Sequence, residues 1–80
     1  MDLDISLLTP IKVLYKGKAR SLKVPGERGY FEILPYHKSI LSRLLFGDVE
    51  IDMQVFPIKR GLIRLNDNKV TIIVEERSEP

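Results

Sequence analysis

Apolar residues recur at every second position over much of this chain, and that period narrows the choice of fold more than any other feature. Leu3, Ile5 and Leu7 alternate with Asp2, Asp4 and Ser6. Val49, Ile51 and Met53 alternate with Asp48, Glu50 and Asp52. A strand turns successive side chains to opposite faces, so this spacing predicts half-buried strands. Residues 11–15, 19–24, 30–33, 55–58, 62–65 and 69–74 read as further short strands. A bend is expected at Lys16-Gly17, and a type II turn at Pro25-Gly26 with Gly29 closing the loop. Asn66-Asp67-Asn68 suits a tight hairpin, and Pro57 suggests an edge or a bulge. One segment breaks the rule. Ile40, Leu41, Leu44 and Leu45 fall at helical spacing, so the local pattern predicts a short helix with Ser39 as its N-cap. The rest reads as about eight short strands, hence a β-sandwich or a small barrel.

The 80 residues suffice for one domain and one core. A chain of this size buries only ~60% of the surface that its unfolded form exposes, so a partner that binds the folded form adds to its stability. There is no cysteine, which excludes a disulfide framework, a thiolate zinc site and a cysteine nucleophile. No apolar run approaches the ~20 residues that span a bilayer as a helix. The acidic start, Met1-Asp2-Leu3-Asp4, lacks the features of a signal peptide. A soluble, cytoplasmic chain without direct membrane insertion is expected. Thirteen basic and eleven acidic residues are interleaved, for a net charge of +2. The densest basic stretch, residues 12–23, reads as a solvated face.

Catalytic constellations are missing. His37 is the only histidine, and no cysteine stands at metal-ligand spacing to it. Ser39 and Ser42 lie on no nucleophile elbow, and Gly26-Glu27-Arg28-Gly29 lacks the Lys-Ser/Thr that completes a phosphate loop. No catalytic residue, cofactor or metal is therefore assigned, and His37 is read as a residue of shape or interface. A small basic β-barrel that binds single-stranded nucleic acid is the alternative, with Tyr15, Tyr30, Phe31 and Tyr36 as stacking rings.

The stretch "VPGERGYFEILPYHKSILSRLLFG", residues 24–47, resembles a family pattern P-G-x-x-G-x-F-G-V-L-P-G-H-x-P-L-[LI]-[ST]-x-L-x-x-G. The matches are Pro25, Gly26, Gly29, Phe31, Ile33, Leu34, Pro35, His37, Ile40, Leu41, Ser42, Leu44 and Gly47. The opening "DISLLTPIKVLYKG" and the closing "RGLIRLNDNKVTIIVEE" agree as well. The family is the N-terminal β-sandwich domain of the epsilon subunit of rotary ATP synthases, called delta in mitochondria. The resemblance runs from about Leu3 to Glu76. It implies an all-β fold, a flattened β-sandwich of about eight to ten short strands. It makes residues 1–76 the domain and 77–80 a frayed tail, and it overrules the local helix over 40–45.

The resemblance also implies a task. Such a domain is a non-catalytic central-stalk subunit that holds the gamma subunit and the membrane c-ring, peripheral on the cytoplasmic face of the plasma membrane. By that likeness Glu27, Arg28, Tyr30, Glu32, Tyr36, His37 and Lys38 face the c-ring, and Leu41, Leu44 and Leu45 face gamma, with the core as the alternative place for any one of the three leucines. Nucleic acid is then no partner. The sequence stops at Pro80, where the family's C-terminal helical pair begins, so neither autoinhibition nor ATP binding is expected of it. It departs from the pattern at Glu32, Tyr36 and Arg60, each standing where a glycine is usual, and at Ser39 in place of a proline. A side chain at a left-handed position costs ~1 kcal/mol or more.

Overall fold

The computed structural model describes residues 2–77. Its eight strands are β1 (Leu3–Leu8), β2 (Val13–Ala19), β3 (Leu22–Gly26), β4 (Gly29–Ile33), β5 (Ile40–Leu44), β6 (Gly47–Ile51), β7 (Gln54–Asn66) and β8 (Lys69–Glu76). Hydrogen bonding joins them in the order β2-β1-β8-β7-β6-β3-β4, and β5 pairs with β7 off that path. Only β1 with β8 is parallel; the other pairs are antiparallel.

The long strand β7 makes the sheet double back. Its first part pairs with β6, from Gln54 opposite Ile51 to Ile58 opposite Gly47. Its second part pairs with β5, from Gly61 opposite Leu44 to Leu65 opposite Ile40. Between the two, the register against β8 shifts at Ile58/Arg60. A bulge of this kind bends a strand and raises its twist. Pro57, without a backbone N–H, stands just before it. The two ends of the sheet curl toward each other and enclose one core.

Most of the period-two residues fill that core; Met53, expected to continue the β6 alternation, is instead exposed in the turn after Ile51. Leu3, Ile5 and Leu7 of β1, Leu22 and Val24 of β3, Val49 and Ile51 of β6, and Val70, Ile72 and Val74 of β8 are buried. Ile33, Leu44, Ile58, Ile63 and Leu65 join them. No polar or charged side chain is buried among the described residues. The side chains of the core are all apolar, and every polar side chain among the described residues stays within reach of water.

Several local expectations are corrected. Residues 40–44 are the strand β5, because five residue pairs to β7 outweigh a short helical stripe. Strand β2 passes unbroken through Lys16 and Gly17, opposite Ser6 and Ile5. Pro25 and Gly26 belong to β3, so the turn falls one step later, on Glu27 and Arg28 between the paired Gly26 and Gly29. Gly29 carries the positive φ, at 111°. The runs 55–58 and 62–65 are parts of one thirteen-residue strand. Of the expected frayed tail, Arg77 is anchored: its N–H donates to the Pro57 carbonyl at 3.3 Å, and its guanidinium bonds Asp48 and covers the Phe46 ring. Residues 78–80 lie outside the described residues.

Two leucines of β5 separate core from surface. Replacing Leu44 by Ala should destabilise the chain by ~2–5 kcal/mol, whereas Leu41→Ala should stay within ~0.5 kcal/mol of wild type. Urea denaturation of both variants checks this.

Candidate interaction surface

The loop between β4 and β5 is built on a β-turn. The His37 N–H donates to the Leu34 carbonyl at 3.2 Å, with Pro35 and Tyr36 between them. Tyr36 has φ 70°. Proline at the second position and a positive φ at the third define a type II turn, whose third position favours glycine. Of the three residues standing at usual glycine positions, Tyr36 alone has a positive φ; Glu32 and Arg60 do not. The Tyr36 N–H donates to Asn68 Oδ1 at 2.7 Å, and the Ser39 hydroxyl donates to Asn66 Oδ1 at 3.3 Å. The His37 ring sets Nδ1 2.8 Å from the Lys38 carbonyl. A carbonyl only accepts, so Nδ1 carries the hydrogen. Tyr36, His37 and Lys38 thus form one cluster with the β7–β8 turn.

The other loop residues lie elsewhere. Glu27 and Arg28 form the β3–β4 turn, at the opposite end of β4, roughly 13 Å away at ~3.3 Å per step. Glu27 is paired with Arg43 of β5. Tyr30 and Glu32 point outward from β4, while Ile33 is buried and Phe31 packs against the core. The Tyr30 hydroxyl accepts the Asp48 N–H at 2.9 Å, which lays the ring across the start of β6. The seven residues therefore follow β4, a terminal strand of the sheet, from tip to tip.

The three leucines separate as well. Leu44 is in the core at 1% exposure and is unavailable to any partner. Leu41 and Leu45 are exposed. Sequence reasoning missed their neighbours Leu62 and Ile73, which are paired across β7 and β8 and project outward. Their unbroken apolar runs, 62–63 and 72–74, hid which face each residue takes. Pro10, Leu45, Leu62 and Ile73 line an open groove of about 560 Å³, together with Arg43, Arg60 and Glu75. Gly61 lies in its floor. A single exposed leucine is ordinary; here three apolar side chains, Leu45, Leu62 and Ile73, are exposed together.

The stacking rings proposed for a nucleic-acid surface do not share one face. Tyr15 packs edge-on against Phe56 with centroids 6.1 Å apart, Phe31 faces inward, and Tyr30 and Tyr36 lie on different elements. The basic residues of the stretch 12–23 are all exposed, as a solvated face requires.

Residues 2–79 match the family described as the ATP synthase delta/epsilon chain, β-sandwich domain. The chain belongs to this family. Among epsilon-family relatives, the ATP synthase epsilon chain of Leptospira interrogans is 36% identical over 77 residues, covering 91% of this chain and 61% of the relative. That of Nitratiruptor sp. is 33% identical over 78 residues, covering 91% and 60%. The chain thus spans about three fifths of the length of the curated relatives it matches. Two solved structures share the epsilon-type fold at low identity. A chain in the central stalk/c-ring structure of the Tetrahymena thermophila mitochondrial ATP synthase has a TM-score of 0.79 at 18% identity, covering 95% of this chain and 65% of that one. A chain in the Euglena gracilis mitochondrial ATP synthase structure has a TM-score of 0.85 at 17% identity, covering 94% and 51%.

Gly61 is fixed by close approach rather than by its dihedral angles. A Cβ there would fall 2.7 Å from the Ile73 carbonyl oxygen. Gly61→Ala should force β7 and β8 apart under the groove and destabilise the chain by ~1–3 kcal/mol. Thermal denaturation beside wild type measures the loss.

Proposed function

We propose that this domain is an epsilon-type, non-catalytic part of the central stalk of a rotary ATP synthase. It binds the gamma subunit through its apolar groove and meets the c-ring along β4 and the β4–β5 loop. Rotation driven by ion flow in the membrane sector is thereby tied to the shaft that reaches the catalytic head. In that assembly the domain is peripheral, on the cytoplasmic face of the plasma membrane.

The observation that carries the reading is the family match over residues 2–79. The surface supplies what such a task needs. Leu45, Leu62 and Ile73 give gamma an apolar seat, and Leu41 extends the exposed face of β5. The loop residues Tyr36, His37 and Lys38 present polar and aromatic groups of the kind that suits a rim of repeated polar loops. The β-sandwich is a compact body in which each turn is tied to a neighbour, suited to carrying torque without deforming.

The test is co-purification of the chain with gamma from the same source, with and without c-ring. Stoichiometric binding that depends on gamma is expected. Leu62→Asp and Ile73→Asp should each lower gamma affinity at least ~10-fold, since each removes apolar contact area and requires a carboxylate to be desolvated on binding. Tyr36→Ala and His37→Ala should weaken retention of the c-ring and leave gamma binding intact. A folded chain that ignores gamma would overturn the reading.

A further inference from the structure

Tyr36 is held in a conformation that its side chain opposes, and the group that holds it lies on a different hairpin. In a type II turn the third residue takes φ near about +80°, and in a type I turn near about −90°. The two turns share their closing hydrogen bond and both accept proline at the second position. They differ in the orientation of the central peptide, here Pro35–Tyr36. Tyrosine, unlike glycine, prefers the type I value. Pro35 does not select between them, and the closing bond from His37 to Leu34 does not either.

The selection comes from Asn68. Its Oδ1 accepts the Tyr36 N–H at 2.7 Å, which is possible only while that N–H faces the β7–β8 turn. Reversing the Pro35–Tyr36 peptide would swing the N–H away and leave the acceptor unused. The acceptor is itself firmly placed. Asp67 and Asn68 have φ 51° and 62°, the left-handed pair of a two-residue type I′ hairpin turn between the paired Asn66 and Lys69. The Asn68 carbonyl accepts the Asp4 N–H at 2.7 Å, which ties the turn to the start of β1. The Ser39 hydroxyl reaches Asn66 Oδ1 at the other end of the loop. A rigid turn thus imposes a strained backbone on an exposed tyrosine, and strain of that kind collects where a side chain must be aimed.

We infer that Asn68 is a positioning residue: by accepting the Tyr36 N–H it holds the Pro35–Tyr36 peptide in the type II orientation and so directs the Tyr36 ring at the rotor partner. The direction of the ring rests on the proposed c-ring contact; the orientation of the peptide does not.

The test uses the 80-residue chain by NMR, then c-ring binding. In wild type the Pro35 Hα–Tyr36 HN cross-peak should be strong, as a type II turn brings these hydrogens together, and the Tyr36 amide should exchange slowly. Asn68→Ala should weaken that cross-peak several-fold and speed exchange of the Tyr36 amide. Asn68→Asp, which keeps an oxygen acceptor, should restore both. In Tyr36→Gly the cross-peak should stay strong with or without Asn68, since glycine accepts the left-handed angle unaided. Asn68→Ala should also lower c-ring affinity about as much as Tyr36→Ala, with Asn68→Asp rescuing it. An unchanged cross-peak in folded Asn68→Ala would overturn the inference. A flipped peptide together with c-ring binding that neither Asn68→Ala nor Tyr36→Ala disturbs would uphold the backbone role and overturn the aiming of the ring. The proposed function itself fails separately, through loss of gamma-dependent binding by the wild-type chain.

Discussion

The architecture depends on β7 serving two parts of one sheet. Its thirteen residues meet β6 before the register shift at Ile58/Arg60 and β5 after it, with β8 alongside. The seven shorter strands and β7 then close on one core without a second sheet being nucleated separately. Were β7 straight, Ile33, Val49 and Ile51 of one wall would not face Ile5, Ile63 and Ile72 of the other. Gly61 lies just past the shift, where no Cβ fits beside the Ile73 carbonyl. The same bend leaves Leu62 and Ile73 on the outside, so the groove is a product of the closure that forms the core.

A second regularity concerns the turns. Each end of the sandwich is tied by an acidic or amide side chain that accepts backbone N–H groups from a neighbouring turn. Asp52 Oδ1 takes the N–H groups of Arg20 and Ser21 at 3.0 and 3.1 Å, and Asn68 Oδ1 takes that of Tyr36. Asp52 and Asn68 both have left-handed backbones themselves, a conformation that Asn and Asp tolerate better than most residues. These contacts join segments 31 or 32 residues apart in the chain. A loop so tied moves with the sandwich.

For an epsilon-type domain the division of the surface follows from this construction. The apolar groove lies over β5, β7 and β8, and the polar loop residues follow β4 and the β4–β5 loop. Two different chemistries are thus presented by two different regions of one small body. Ion pairs such as Lys12–Glu76 at 3.3 Å and Lys59–Glu75 at 3.7 Å are exposed and add little to stability.

The sequence by itself determined the strand period, the hairpin at Asn66-Asp67-Asn68 and the family. It did so because alternation, turn chemistry and a linear motif are local properties. The tertiary structure decided the rest. It supplied the reason that residues 40–44 are a strand, as the family resemblance implied against the local helical stripe: pairing with β7 is a long-range bond that no local pattern reveals. It put Leu44 in the core and Leu62 and Ile73 outside, since an unbroken apolar run does not state its register. It divided seven residues close in sequence between the two ends and the outer face of β4. It gave the glycine-like backbone to Tyr36 and not to Glu32 or Arg60, because Glu32 and Arg60 are strand residues opposite Lys23 and Glu75, whereas Tyr36 occupies the third position of a turn.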